Sequence, residues 1–282
     1  MTAFDAGALG RSTEEREFKV EAPRSVAYAA ATNDTNGRHT SGELAPPVFA
    51  IVPVWSALST AAELVAPPEA FAQLVHSEQD MRFHRPIAPG DVLRSTAAPV
   101  FLSVRGVGTT VAVRTETVDP GGRLVNEQFA TLFFRGPFEG ESGGEPPPEH
   151  KLTAATKATA PVAEVTYGFD ADQTFRYAEA SGDPLPIHLD DAVARSVGLP
   201  GIIVHGLCTM AFCGRAVIDS VAGGDPTRLA RLAVKFSRPV LPGQEITIRI
   251  YAADGVEAYG FEALNAEGQA VVKDGRAELR PR

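Results

Sequence analysis

The apolar positions of residues 206–222 repeat every three or four residues, which predicts a long helix with one broad apolar face. Gly223-Gly224-Asp225-Pro226 ends this helix. Four strand-like segments follow near 229–238, 245–252, 256–264 and 269–279, and turn-forming pairs such as Pro242-Gly243 separate them. A helix followed by an antiparallel meander indicates a sheet wrapped around a buried helix. Upstream, the pattern predicts a strand at 162–168, a helix at 172–181, and a short helix from Asp190 to Gly198.

The first half of the chain repeats this order of elements. A helix is predicted near 24–31, a loop at 32–47 and an apolar helix near 48–64. Strands are predicted near 78–86, 91–103, 105–118 and 122–135. Phe83–Gly90 also resembles Phe236–Gly243, and Tyr28–Asp34 resembles Tyr177–Asp183. The copies lie roughly 150 residues apart, which indicates two domain-sized repeats and not a solenoid. We therefore predict an α+β protein with domains at 1–140 and 161–282, joined by a Gly-, Pro- and Glu-rich linker at 141–160.

Composition narrows the possible functions. The chain has 282 residues, 44% hydrophobic and 22% charged, which is typical of a globular protein. Its net charge of −9 argues against a nucleic-acid surface. Apolar runs are far shorter than a membrane span, and the N-terminus has no secretory pattern, so we expect a cytoplasmic protein that contacts no membrane. Cys208 and Cys213 lie five residues apart on one predicted helix, which favours neither a disulfide nor a zinc site.

The candidate catalytic residues lie within residues 177–209. Asp183 precedes His188 by five residues in a loop between two predicted helices. A carboxylate and an imidazole in one loop can hold a water molecule and move its protons. The turn at His205-Gly206 then opens the long helix, whose first N–H groups can stabilise an oxyanion. His205 itself is expected to orient the turn.

These residues resemble the MaoC-like, or type 2, (R)-specific enoyl-CoA hydratases. The resemblance rests on Tyr177, Ser181-Gly182-Asp183, Pro186-Ile187-His188 and the later Ile203-Val204-His205-Gly206-Leu207-Cys208-Thr209. It implies a double hotdog fold and reversible hydration of trans-2-enoyl-CoA to (R)-3-hydroxyacyl-CoA. Asp183 and His188 would be catalytic, and Gly206 would be the oxyanion donor. The CoA thioester would be the substrate, with no metal and no other cofactor. The order of proton transfers is left open. The sequence departs from the family at Leu185, where the family has Asn.

The first half carries a second pair with the same spacing, Asp34 and His39. No His-Gly turn follows it, so we interpret this pair as a relic. The resemblance implies that the N-terminal half is non-catalytic and widens an acyl pocket lined by residues such as Pro47, Phe49 and Trp55. Ordinary core packing explains each of those three residues equally well.

Several functions remain open on the sequence alone. The substrate is expected to be an acyl-CoA or an acyl-carrier-protein thioester, and the latter would make the protein a 3-hydroxyacyl-ACP dehydratase. A non-catalytic protein that binds acyl thioesters, or supports a partner subunit, is a second hypothesis, because Leu185 replaces the family Asn. A thioesterase of similar fold is a third. The chain is expected to act as a monomer or a homodimer.

Overall fold

A computed structural model describes residues 3–281 of the chain. Residues 1, 2 and 282, at the ends of the predicted domains, lie outside the described residues. The helices are α1 (Ala22–Ala31), α2 (Gly37–Thr40), α3 (Trp55–Glu63), α4 (Ala154–Lys157), α5 (Gln173–Ser181), α6 (Asp191–Ser196) and α7 (Gly206–Val221). The strands are β1 (Ala3–Phe4), β2 (Arg16–Lys19), β3 (Leu74–Phe83), β4 (Val92–Arg105), β5 (Gly108–Val118), β6 (Leu124–Arg135), β7 (Glu139–Gly140), β8 (Gly143–Gly144), β9 (Ala163–Gly168), β10 (Leu229–Phe236), β11 (Glu245–Ala252), β12 (Ala258–Leu264) and β13 (Ala270–Leu279).

Two compact units make up the chain. The first comprises Met1–Lys19, Pro53–His84 and Val92–Glu149, and the second comprises Val20–Val52, Arg85–Asp91 and His150–Arg282. The second unit therefore contains a segment from the first half of the sequence. The predicted linker carries two short elements, β8 and α4. The boundaries at residues 140 and 160 stay a prediction about the duplication.

The first unit builds its sheet in the order β2-β4-β5-β6-β3, with every neighbouring pair antiparallel. Helix α3 packs against β4 and β5. Alternate residues of β4, such as Leu93 and Ala97, are buried, because successive side chains point to opposite faces of a strand. The predicted apolar helix over 48–64 is wrong in its first half. A 3-10 helix spans Pro47–Val54, and the α-helix starts only at Trp55. Pro53 has no N–H and disfavours α geometry at the residue before it.

The second unit has the antiparallel order β10-β13-β12-β11-β9, and α7 packs against β9, β10 and β11. The predicted apolar face of α7 is buried, including Met210, Val217 and Ile218. Cys208 and Cys213 are buried free thiols on this helix. Among residues 3–281, every helix is too short or too polar to cross a membrane.

Local geometry in the second unit supports the duplication. Helices α1 and α5 pack together, and the hydroxyls of Tyr28 and Tyr177, 149 residues apart, lie 3.0 Å from each other. Each helix ends on a hydroxyl that donates to the carbonyl four residues earlier, at Thr32 and Ser181 respectively. The next residue is left-handed in both copies, with φ of 50° at Asn33 and 81° at Gly182. Asn and Gly are the residues that tolerate this conformation best. The aspartate of each pair follows directly.

Candidate active site

Asp183 is placed by the end of helix α5. Gly182 is the left-handed C-cap of the helix, and the Ser181 hydroxyl accepts a hydrogen bond from the Asp183 N–H at 3.2 Å. The Asp183 carboxylate accepts a hydrogen bond from the Leu185 N–H at 3.3 Å. The side chain is buried. The Ser181-Gly182-Asp183 turn thus reverses the direction of the chain after α5 and buries the Asp183 carboxylate in the second unit.

His188 is placed by the short 3-10 helix Pro186–His188. Its Nδ1 lies 2.8 Å from the carbonyl oxygen of Ile203. A carbonyl only accepts, so Nδ1 carries the proton and Nε2 keeps an open lone pair when the ring is neutral. His188 can therefore act as a base through Nε2.

Residues 203–206 form the other side of the site. Ile203 accepts the bond from His188, and His205 Nε2 donates to the Asp183 carbonyl oxygen at 3.1 Å. The rings of His188 and His205 stack, with centroids 3.7 Å apart and planes inclined by 23°. Gly206 is the first residue of α7, where the helix leaves backbone N–H groups without intrahelical acceptors. A single four-residue segment therefore contacts both Asp183 and His188, which together form the predicted catalytic dyad, and provides the predicted oxyanion donor.

Burial shifts the pKa values of the two dyad residues in opposite directions. Loss of solvent raises the pKa of Asp183 to about 6, and the Leu185 N–H partly opposes this rise. Loss of solvent lowers the pKa of His188 to about 4, and the bond to Ile203 partly opposes this fall. Between these values the carboxyl holds a proton while the imidazole is neutral. Such a separation assigns an acid and a base within one site.

Asp183, His188 and His205 form the one group in residues 3–281 that offers three clustered metal-ligand atoms, and these atoms lie within 4.8 Å of one another. One carboxylate and two imidazoles also make a donor set that zinc accepts. The same spacing suits a water molecule bridging two groups at ordinary hydrogen-bond distances. The predicted absence of a metal and of a further cofactor stays a prediction.

Leu185, at the family Asn position, contributes its backbone and not its side chain. Its N–H donates to Asp183, while the side chain is 45% exposed. The 149-residue offset that separates Tyr28 from Tyr177 also relates Leu185 to Asn36, a correspondence that the sequence analysis missed. Asn36 accepts a hydrogen bond from the Arg38 N–H and donates one to the Gly224 carbonyl, so it caps α2 and connects it to the turn after α7.

Asp34 and His39 form a closed pair. His39 Nδ1 lies 2.7 Å from Asp34 Oδ2, and His39 Nε2 is buried without a hydrogen-bond partner among the described residues. In the Asp183–His188 pair, by contrast, the Nδ1 of His188 bonds a main-chain carbonyl. Because the Asp34 carboxylate and the His39 imidazole bond each other directly, they leave no gap for a shared water molecule. The remaining nitrogen, Nε2, belongs to a histidine with no exposed surface, which supports the interpretation as a relic. Phe49, a predicted pocket residue, packs edge-on against Tyr28 in the core.

Replacing Asp34 and His39 together, as Asp34→Asn with His39→Gln, is expected to lower stability and spare catalysis. Loss of a buried, charge-assisted hydrogen bond lowers the unfolding free energy by about 1–3 kcal/mol. The value of kcat should stay within about twofold of wild type, as expected for a change outside the reacting groups. Urea unfolding and steady-state hydration kinetics measure the two effects. A tenfold loss of kcat in a folded variant would instead identify a second active site.

Comparisons with known proteins identify two matching regions of the chain. A MaoC like domain matches residues 148–269, and a FAS1-like dehydratase domain region matches residues 7–128. The second half of the chain therefore carries a MaoC-like dehydratase domain. The 3-hydroxyacyl-thioester dehydratase Y of Mycobacterium tuberculosis is 28% identical over 301 residues, with 98% of each chain covered. An enoyl-CoA hydratase of the same organism is 25% identical over 264 residues, covering 91% of this chain and 90% of that one.

The fold of this MaoC-like protein is confirmed as a double hotdog. The crystal structure of a MaoC-like dehydratase from Phytophthora capsici has a TM-score of 0.86 at 24% identity, with 98% of both chains covered. The sequence-predicted residues Asp183 and His188 lie together, and Gly206 follows the histidine that contacts both. Their catalytic roles stay predictions. The sequence analysis assigned His205 only to the turn, and its contact with the dyad had no signal in the sequence.

Proposed function

We propose that the protein is a hydro-lyase that reversibly hydrates trans-2-enoyl-CoA to (R)-3-hydroxyacyl-CoA. The observation that carries this proposal is the dyad of Asp183 and His188, buried in one loop with pKa values shifted in opposite directions. Relatives named enoyl-CoA hydratase and 3-hydroxyacyl-thioester dehydratase support the same reaction class. An acyl thioester is therefore the substrate class, and CoA is the proposed carrier.

In hydration, a water molecule bound by the dyad loses a proton to His188 Nε2 while its oxygen bonds to C3 of the substrate. The C2–C3 π electrons move toward the thioester carbonyl, which gains enolate character. The Gly206 N–H and the start of α7 stabilise that oxyanion. Asp183 then delivers its proton to C2. The proton on His188 passes back to Asp183, which restores the starting state.

This scheme explains two features of the proposed reaction. Both groups lie in one loop, so hydroxyl and hydrogen add to the same face of the double bond. Addition of water changes the net oxidation state of neither reactant, so the reaction itself needs no redox cofactor. The reverse direction starts from a 3-hydroxyacyl thioester and uses the same groups in reverse order.

A second candidate is a non-catalytic protein that binds acyl thioesters. The observation that favours it is Leu185, whose exposed apolar side chain replaces the Asn of the family. The binding protein and the hydratase differ in turnover and not in binding of the thioester, so one assay separates them.

The test is hydration of crotonyl-CoA and of a longer trans-2-enoyl-CoA, followed by the loss of absorbance of the conjugated thioester. The same acyl groups on an acyl carrier protein identify the preferred carrier. Chiral analysis of the product is expected to give the (R)-alcohol. Binding of the saturated acyl-CoA without turnover of either enoyl thioester would contradict the hydratase and support the binding protein.

The pH dependence of kcat/KM is expected to be bell-shaped. Hydration needs Asp183 protonated and His188 neutral, the state that dominates between the pKa values of about 4 and about 6. Above the higher value Asp183 loses its proton, and the rate falls about tenfold per pH unit. Below the lower value His188 gains a proton, and the rate falls again. Initial rates across pH measure both limbs. A rate that rises through pH 6 to a plateau would mean that the Asp183 carboxylate is the active form, and would contradict its role as the acid.

A further inference from the structure

We infer that His205 is a positioning residue, which holds the Asp183–His188 dyad at a fixed distance and orientation from the Gly206 oxyanion donor. The inference rests on the proposed hydratase function. Sequence alone assigns His205 only to the turn before α7, but its side chain contacts both members of the dyad. None of these contacts requires His205 to exchange a proton with the substrate.

The first contact fixes the backbone that carries the acid. His205 Nε2 donates to the carbonyl oxygen of Asp183, a residue 22 positions earlier in the chain. The bond is buried, because His205 is 2% exposed. A buried hydrogen bond is not exchanged with solvent, so it holds the Asp183 main chain at one distance from the start of α7.

The second contact fixes the base. The His188 ring lies between two constraints, with Nδ1 bonded to Ile203 and one face stacked on the His205 ring at 3.7 Å. The hydrogen bond sets the direction of Nε2, and the stack limits rotation of the ring out of its plane. The Tyr177 ring lies 4.8 Å from His205 and supports it from the α5 side.

The third contact joins these groups to the oxyanion donor. His205 is the N-cap of α7, and its carbonyl accepts the N–H of Thr209 at 3.1 Å. The peptide between His205 and Gly206 carries the proposed donor N–H. His205 therefore contacts the acid through its Nε2, the base through its ring and the oxyanion donor through its own backbone.

The unpaired nitrogen of His205 argues that the ring is not there for stability alone. Its Nδ1 is buried without a hydrogen-bond partner among the described residues. An unsatisfied buried nitrogen costs at least as much as one neutral hydrogen bond returns, so an apolar ring would fill the space with less penalty. Burial, together with the neighbouring His188, lowers the pKa of His205 to about 3, so the ring stays neutral throughout the expected working range.

The experiment compares His205→Phe with His205→Gln. Phenylalanine keeps an aromatic ring for the stack and removes the donor, whereas glutamine can return an N–H near the position of Nε2. His150→Phe is the matched control, because His150 is also buried and its Nδ1 bonds a main-chain carbonyl, that of Asp274. All three variants and wild type are measured for kcat, KM and thermal unfolding.

We expect His205→Phe to lower kcat by about 10–100-fold with KM within about threefold, because a misplacement near 1 Å is enough for such a loss. His205→Gln should recover most of kcat. His150→Phe should keep the kcat of wild type, whatever its effect on the unfolding temperature. Wild-type kcat in a folded His205→Phe variant would overturn the inference, and so would a His205→Gln variant as slow as His205→Phe.

A readout without turnover separates this inference from the proposed function. Crystal structures of wild type and His205→Phe give the distance between the Asp183 carboxylate and the Gly206 nitrogen. We expect that distance to change by about 1 Å in the variant, the scale at which catalytic geometry fails. An unchanged distance would overturn the positioning role even for a protein that proved inactive. An inactive wild type with the expected displacement would contradict only the hydratase.

Discussion

Asp183→Asn and His188→Asn are each expected to lower kcat for hydration by about a thousandfold, the range that general acid–base groups supply. Asparagine at position 183 still accepts the Leu185 N–H but has no proton to deliver to C2. Asparagine at position 188 can donate its amide N–H to the Ile203 carbonyl, as Nδ1 does, but has no counterpart of Nε2. Both changes therefore remove the chemistry and preserve the local hydrogen bonds. Initial rates with crotonyl-CoA measure the loss.

Binding and stability provide the controls for these two variants. Affinity for a saturated acyl-CoA, measured by calorimetry, should stay within about threefold of wild type. The reason is that both side chains act in the transition state and contribute little to binding of the ground state. The double variant should be little slower than either single variant, because residues that act as one unit are not additive. Retention of more than a tenth of wild-type kcat by either single variant would remove that residue from the proposed chemistry.

Most of the fold could be predicted from periodicity. The buried face of α7 and the four strands after it follow from three- and four-residue spacing and from turn residues, and the structure ends these elements within two residues of the predictions. Periodicity mispredicted the apolar run at 48–64 as one α-helix, because an apolar 3-10 helix and an apolar α-helix share their composition. Only Pro53 distinguished them. The strand β2 (Arg16–Lys19) had no signal, because three of its four residues are exposed and so lack a two-residue apolar period.

The site could be predicted only in part. Asp183 and His188 were found by spacing and resemblance, but the spacing of Asp34 and His39 is the same. What separates the pairs is the partner of each Nδ1, which is Ile203 in one pair and Asp34 in the other. That choice depends on the segment 203–206 and not on the loop itself. The order of proton transfers, left open by the sequence, depends on burial, which a loop sequence does not encode.

Gly206→Pro is expected to lower kcat by about 100–1000-fold relative to Gly206→Ala, the usual effect of removing one oxyanion donor. Both variants add a Cβ atom that would lie 3.1–3.2 Å from the Phe236 ring, so they share this steric perturbation. They differ in the backbone N–H, which alanine keeps and proline lacks. Position 206 accepts proline because it is the first residue of α7, and His205 already has the φ of −57° and ψ of 136° that a residue before proline prefers.

The ratio of the two variants is therefore the informative quantity, and thermal unfolding confirms that both are folded. The loss should fall on kcat, with KM within about threefold, because the donor acts on charge that develops only in the transition state. Equal kcat values for the two variants would mean that the Gly206 N–H does not stabilise the enolate. The start of α7 would then contribute only packing against Phe236, and another donor would have to face the thioester oxygen.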